Sequence, residues 1–190
     1  MISYLNNLIA NSVIVRGTGI FQNEENANRS ILTNLNFSEK FCEKISFNTT
    51  GQKYAIAIGY NPSLCNINNF DLTNQLLCYY LQSQRYDGYY LLNIFSNVSV
   101  KKSFNNKKSM IKYFQKIFNK FNNDIYIFWG RSVYVNKTLL KSFQNIKNQI
   151  FTIGNTLHAH QHPGRNTSFA SINSTPRINN ITLNNKHHLI

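Results

Sequence analysis

Acidic side chains are scarce in this chain: 7 Asp and Glu stand against 20 Lys and Arg, leaving a formal net charge of +13. A soluble protein this basic meets a polyanion, most often nucleic acid. An AT-rich genome also writes Lys, Asn, Ile, Tyr and Phe at neutral positions, but the shortage of acids favours nucleic acid. Cysteine is sparse as well. Cys42, Cys65 and Cys78 are odd in number and match no zinc spacing, so they read as buried free thiols in a reducing compartment. No apolar run approaches transmembrane length. The amino terminus, MISYLNNLIANSVIV, has no basic residue ahead of its apolar stretch and does not read as a signal peptide. The expected setting is the cytoplasm, or a host interior if the protein is viral. The expected partner is nucleic acid, DNA before RNA, met by a monomer with no membrane contact.

The 190 residues suffice for one well-packed domain. Residues 1–165 are expected to form it, with 1–53 irregular, 54–165 carrying the motifs, and 166–190 an Asn/Ser-rich tail too poor in apolar residues to fold alone. In the first part, Ile2 to Ala10 reads as a short helix, Ser12 to Arg16 as an edge strand and Gly17-Thr18-Gly19 as a turn. Phe21 to Arg29 reads as a polar loop and Leu35 to Phe47 as a segment pairing at a sheet edge.

Tyr54-Ala55-Ile56-Ala57-Ile58 is short and wholly apolar, as a strand buried on both faces should be. A helix capped by Asp71 or Thr73 follows to about Arg85, with Leu72, Leu76, Leu77, Tyr80 and Leu81 on one side. Tyr89 to Phe95 reads as the second strand, Ile125 to Phe128 as the third and Ile150 to Ile153 as the fourth. Helices are expected between them, one within the basic stretch 101–123 and one from about Lys137 to Asn148. This order predicts an α/β fold: a three-layer α/β/α sandwich around a mostly parallel four-stranded central sheet. In the first of those two helices Met110, Ile111, Phe114, Ile117, Phe118 and Phe121 share one side. Lys108, Lys112, Lys116 and Lys120 recur every fourth residue on the other. Such a stripe is commonly just a solvated face. With no counter-charge it also suits phosphate contact.

Proline is rare, and two of the three prolines follow a polar side chain just past a predicted strand: Asn61-Pro62 and His162-Pro163. Proline stiffens the residue before it, so both side chains are aimed. Asn93 interrupts an apolar strand, where an amide needs a partner. Plainer readings exist: an Asx turn for Asn61, backbone satisfaction for Asn93, packing for Trp129, and adventitious metal binding by His158, His160 and His162. No carboxylate lies close to those histidines in sequence, so neither a metal site nor any other cofactor is expected.

In order along the chain, Gly59-Tyr60-Asn61-Pro62-Ser63, Leu91-Leu92-Asn93, Phe128-Trp129-Gly130 and His162-Pro163-Gly164 resemble the motif set of the uracil-DNA glycosylase superfamily. With Asp71-x-Thr73, Asp87-Gly88 and Asn93-Ile94-Phe95 added, the pattern is most similar to the family catalogued as domain of unknown function 1643. The resemblance implies a uracil-DNA glycosylase-like fold and cleavage of an N-glycosidic bond to a flipped or single-stranded pyrimidine; a non-catalytic nucleic-acid-binding module on the same fold is the alternative. It implies that the Asn61 carbonyl orients a water and that His162 donates to the charge developing on the base. Asn93 would read the base edge, and Tyr60, Phe70 or Phe95 would stack on it. Phosphate contacts would fall to Ser63, Lys108, Lys112, Lys116, Arg131 and Arg165. The chain departs from the glycosylase pattern in lacking an Asp in the first motif, in Ser63 where Gly is usual, and in Gly164 where Ser is usual.

Overall fold

The computed structural model describes residues 1–21, 25–62, 67, 70–98, 109–128, 142–143, 146–153 and 178–180. Among these, three helices and eight strands follow in the order α1 (Ile2–Leu8), β1 (Ser12–Phe21), β2 (Glu25–Asn34), β3 (Lys40–Ser46), β4 (Tyr54–Gly59), α2 (Leu72–Ser83), β5 (Gly88–Asn93), α3 (Ile111–Lys120), β6 (Ile125–Ile127), β7 (Ile150–Ile153) and β8 (Ile178–Asn180). All eight strands join one sheet in the order β1-β2-β3-β5-β4-β6-β7-β8.

The expected sheet was too small and too parallel. β5, β4, β6 and β7 are parallel neighbours, but they form only part of a mixed sheet in which four of seven pairings are antiparallel. The extra strands come from segments read as irregular. β1 runs straight through Gly17-Thr18-Gly19, and β2 occupies part of the expected polar loop. β3 is an interior strand, paired with β2 on one side and β5 on the other. In the tail, 178–180 add an antiparallel strand to β7.

Alternation along β4 divides the core in two. Ala55 and Ala57 pack with Leu77, Cys78, Tyr80 and Leu81 of α2, where their small size admits the helix. Ile56 and Ile58 face the other way, onto Leu5 of α1 and Ile111, Phe114, Ile117 and Phe118 of α3. Helices therefore cover both faces of the sheet. Each fully buried Ile, Leu or Phe contributes about 1.5–3 kcal/mol. Asp71 caps α2, its carboxylate accepting from Asn74 N at 2.8 Å. Of the helix expected from Lys137 to Asn148, residues 137–141 and 144–145 lie outside the described residues. Phe143 stacks on Phe118 with ring centroids 5.2 Å apart. No helix among the described residues is long and apolar enough to cross a membrane.

At the start of β5, a Cβ on Gly88 would lie 2.2 Å from the carbonyl oxygen of Ile45 and 3.0 Å from Ser46 Cα, both backbone atoms of β3. Neither atom can yield without opening the ladder. Gly88→Ala is therefore expected to cost about 3 kcal/mol, the upper end for overpacking, read as a lower urea midpoint at unchanged m-value.

Candidate functional site

Parallel strands place their carboxyl ends on one edge, and in open α/β sheets that edge collects ligands. Here Gly59 of β4 lies beside Asn93 of β5. Pairing persists just past the strands, through Ile94 N to Gly59 O at 3.0 Å, Phe95 N to Tyr60 O at 3.2 Å and Phe128 N to Ile58 O at 3.0 Å. The half-buried Asn61 thus leaves the sheet next to the exit of β5. A Cβ on Gly59 would come within 2.6 Å of Asn93 Oδ1 and 3.0 Å of the Phe128 ring. Glycine here makes room for the Asn93 amide to lie across β4. Asn93 is 4% exposed. Its amide carries one side that donates and one that accepts, and what exposure remains lies at this edge.

The aromatic candidates separate. Tyr60 and Phe95 meet edge to face, with centroids 5.2 Å apart at 87°, on the side of the sheet bearing α1 and α3. Desolvation raises the Tyr60 pKa, so the phenol stays neutral at physiological pH. Phe70 lies with the α2 cluster, buried beneath the Arg29 guanidinium, whose carbon is 4.4 Å from the ring centroid. A Cβ on Gly19 would sit 2.2 Å from the same ring, and one on Gly17 2.7 Å from Ile67. The two glycines of β1 are therefore a seat for Ile67 and Phe70.

Behind that seat is a charged cluster that sequence reasoning missed. Glu43 is 0% exposed. Its Oε1 accepts from Arg29 Nε at 2.8 Å and also from Nη2, and its Oε2 accepts from Lys40 Nζ at 3.0 Å. Asn74 Nδ2 of α2 approaches Oε2 at 3.5 Å, and Tyr89 OH donates to Asn74 Oδ1 at 2.9 Å. Arg29 Nη1 reaches out of the cluster to Ile67 O at 2.7 Å. Burial alone would raise the Glu43 pKa. The Lys40 and Arg29 charges and their hydrogen bonds outweigh it and hold the carboxyl below its ordinary value. The signal was present in the sequence: Glu43 alternates with Phe41 and Ile45 in Phe41-Cys42-Glu43-Lys44-Ile45, a carboxylate at an apolar spacing.

Electrostatics outside the cluster are one-sided. Of the acids whose side chains are described, Glu39 and Glu43 are buried, Asp71 caps α2, Asp87 accepts from Lys53 N at 2.8 Å, and Asp124 accepts from Tyr86 OH. Lys112 and Lys116 are exposed on α3. The first turn of that helix is tied to the exit of β5 by Met110 N to Ile94 O at 2.8 Å. Lys112 therefore stands near the carboxyl edge, and Lys116 about 6 Å farther down the axis. Lys120 lies lower still, over the Tyr4 ring at 4.3 Å. Ser63, Lys108, Arg131, His162 and Arg165 lie outside the described residues, as do Cys65, Trp129, His158 and His160. Burial pushes the Cys42 thiol up to about 12 and the Cys78 thiol up as well. Among the described residues no three His, Cys, Asp or Glu side chains are grouped to hold a metal ion.

Residues 44–170, about two thirds of the chain, match the family described as Protein of unknown function (DUF1643), and the chain belongs to that family. No curated protein and no solved structure was found to match it. The matched segment begins inside β3, so Arg29, Lys40, Glu43 and the glycine seat all precede it.

Removing one member of a buried ion cluster leaves an uncompensated charge, so Arg29→Ala is expected to cost about 3–5 kcal/mol. The folded-state pKa of Glu43 is depressed below 4.5. Its contribution is therefore fully present above that pH and fades as pH falls through the folded value. Below pH 4.5 the urea midpoint should decline more steeply in the wild type than in Glu43→Gln.

Proposed function

We propose that this protein is a DNA-directed N-glycosidic hydrolase with a uracil-DNA glycosylase-like architecture, acting on a flipped or single-stranded pyrimidine. The observation that carries the reading is the nearly buried Asn93 amide beside Gly59, at the carboxyl edge from which Asn61 emerges. A pyrimidine edge offers an adjacent donor and acceptor, and an Asn amide can answer both. In the reaction the C1′–N bond breaks with its electron pair leaving on the base. Water supplies the new C1′–O bond, and its proton ends on the base. Asn61 has no basic nitrogen; its role is to orient that water through its carbonyl oxygen. His162 is assigned the hydrogen bond to the departing base. Tyr60 and Phe95 are the aromatic surface at this edge, whereas Phe70 is engaged by Arg29.

The test is strand scission at abasic sites. Oligonucleotides carrying uracil or modified pyrimidines are incubated with protein and then treated with alkali. Breaks are expected, and they should fall at least a hundredfold in Asn61→Ala and His162→Ala, about the range for a lost positioning or oxyanion contact. Asn93→Ala should lose discrimination between bases. The absence of breaks with every base tested would overturn the hydrolase.

A second reading, a binding module without catalysis, is favoured by Lys112 and Lys116, exposed on α3 beside a surface whose described acids are engaged elsewhere. On either reading, neutralising both lysines should lower the slope of log affinity against log salt by about 0.9 per lysine on duplex DNA. Retained affinity with no base release in the wild type would select the module.

A further inference from the structure

The turn between β2 and β3 carries two features that neither the proposed chemistry nor the core explains. Leu35 is 73% exposed and Phe37 48% exposed, the exposed large hydrophobics among the described residues. Phe37 also adopts a left-handed backbone with φ 57, costly for an aromatic residue and retained only where the surroundings enforce it.

The surroundings here do enforce it. Phe37 N donates to Asn34 O at 3.1 Å, and Glu39 N to Asn34 Oδ1 at 3.0 Å. Asn34 Nδ2 donates to Ser38 Oγ at 2.9 Å, and Ser38 Oγ to Asn36 Oδ1 at 2.7 Å. Every polar residue of the turn thus helps hold it closed, while its two apolar residues face outward. The turn is also fixed to the sheet, by Val98 N to Ser38 O at 2.9 Å and Lys40 N to Ser96 O at 2.8 Å. Those partners lie just beyond Asn93, and β3 is the direct neighbour of β5. The tip therefore stands on the edge that carries Asn93 and Asn61, one strand to the side.

We propose that this turn is a wedge for stacked bases, with Leu35 and Phe37 entering the DNA base stack beside the nucleotide held at the Asn93 edge. Apolar side chains on a rigid turn can part a base step, exchanging stacking between bases for stacking on protein. Charge favours DNA as the occupant. The only acid at the tip, Glu39, is buried, and its carboxylate accepts from Ser96 Oγ at 2.9 Å. The chain as a whole is strongly cationic. The inference rests on the nucleic-acid reading above but not on catalysis.

The probe is a duplex with 2-aminopurine beside a central mismatch. Wild-type protein should raise its fluorescence on binding. The pair Leu35→Ser and Phe37→Ser should abolish the rise, weaken duplex binding about tenfold, and leave the salt slope unchanged. Phe37→Gly controls for folding: glycine accepts the left-handed backbone, so this variant should resist urea better than wild type and still give a smaller rise. An undiminished rise in the double variant overturns the wedge and leaves the hydrolase standing. Unstacking by a protein that releases no base from any of the uracil or modified-pyrimidine oligonucleotides keeps the wedge and overturns the hydrolase. Failure of the wild type to bind the duplex overturns the wedge and leaves the hydrolase to be decided by strand scission on single-stranded oligonucleotides. A wild-type dimer in sedimentation that the double variant dissociates also overturns the wedge, assigning the tip to a second copy.

Discussion

A carboxylate with no access to water sits between two cations at the junction of three elements, and the rest of the architecture follows from keeping it there. Glu43 belongs to β3, Arg29 to β2, Lys40 to the start of β3, and Asn74 to α2. None of these charges would tolerate the interior alone. Together they bind the antiparallel half of the sheet to the helix that covers the parallel half. Arg29 then spends a remaining donor on Ile67 and its flat face on Phe70, so the same cluster holds both of those residues. The two halves of the sheet are thus coupled by chemistry as well as by their ladder.

The carboxyl edge is built by the opposite device, the removal of side chains. Gly59 gives space to Asn93, and Gly17 and Gly19 give space to Ile67 and Phe70. Bulk is placed where it excludes water, as with Phe128 against Gly59 and Tyr60 against Phe95. The outcome is a nearly buried amide, able to donate and to accept, at an edge near which Lys112 is exposed. That combination suits a planar, polar-rimmed ligand joined to an anionic backbone.

Much of the parallel half was legible because its signals are local. The unbroken apolar run of β4, the Asp71 cap of α2 and the four-residue rhythm of α3 each need only their own neighbours to be read. Strand ends also brought Asn61 and Asn93 to one edge without knowledge of side-chain packing. The antiparallel half was not legible, since its inward positions hold Arg29 and Glu43, which read as surface residues until their partners are known. The Gly17–Gly19 pair suggested a turn because glycine is a turn residue in isolation; its actual reason, Ile67 and Phe70, lies some fifty positions away. The same distance hid the role of Phe70, whose ring is claimed by β2 rather than left open at the edge.

The strand at 178–180 closes the β7 flank, and β1 with β2 closes the β3 flank, yet both lie outside the segment matched to the family. A fragment cut to residues 44–170 would bare unpaired amides and carbonyls on two sides at once, each able to template addition of another polypeptide. The smallest stretch that stays dispersed at high concentration is therefore set by its borders rather than by its chemistry, and it is longer than the shared segment at either terminus.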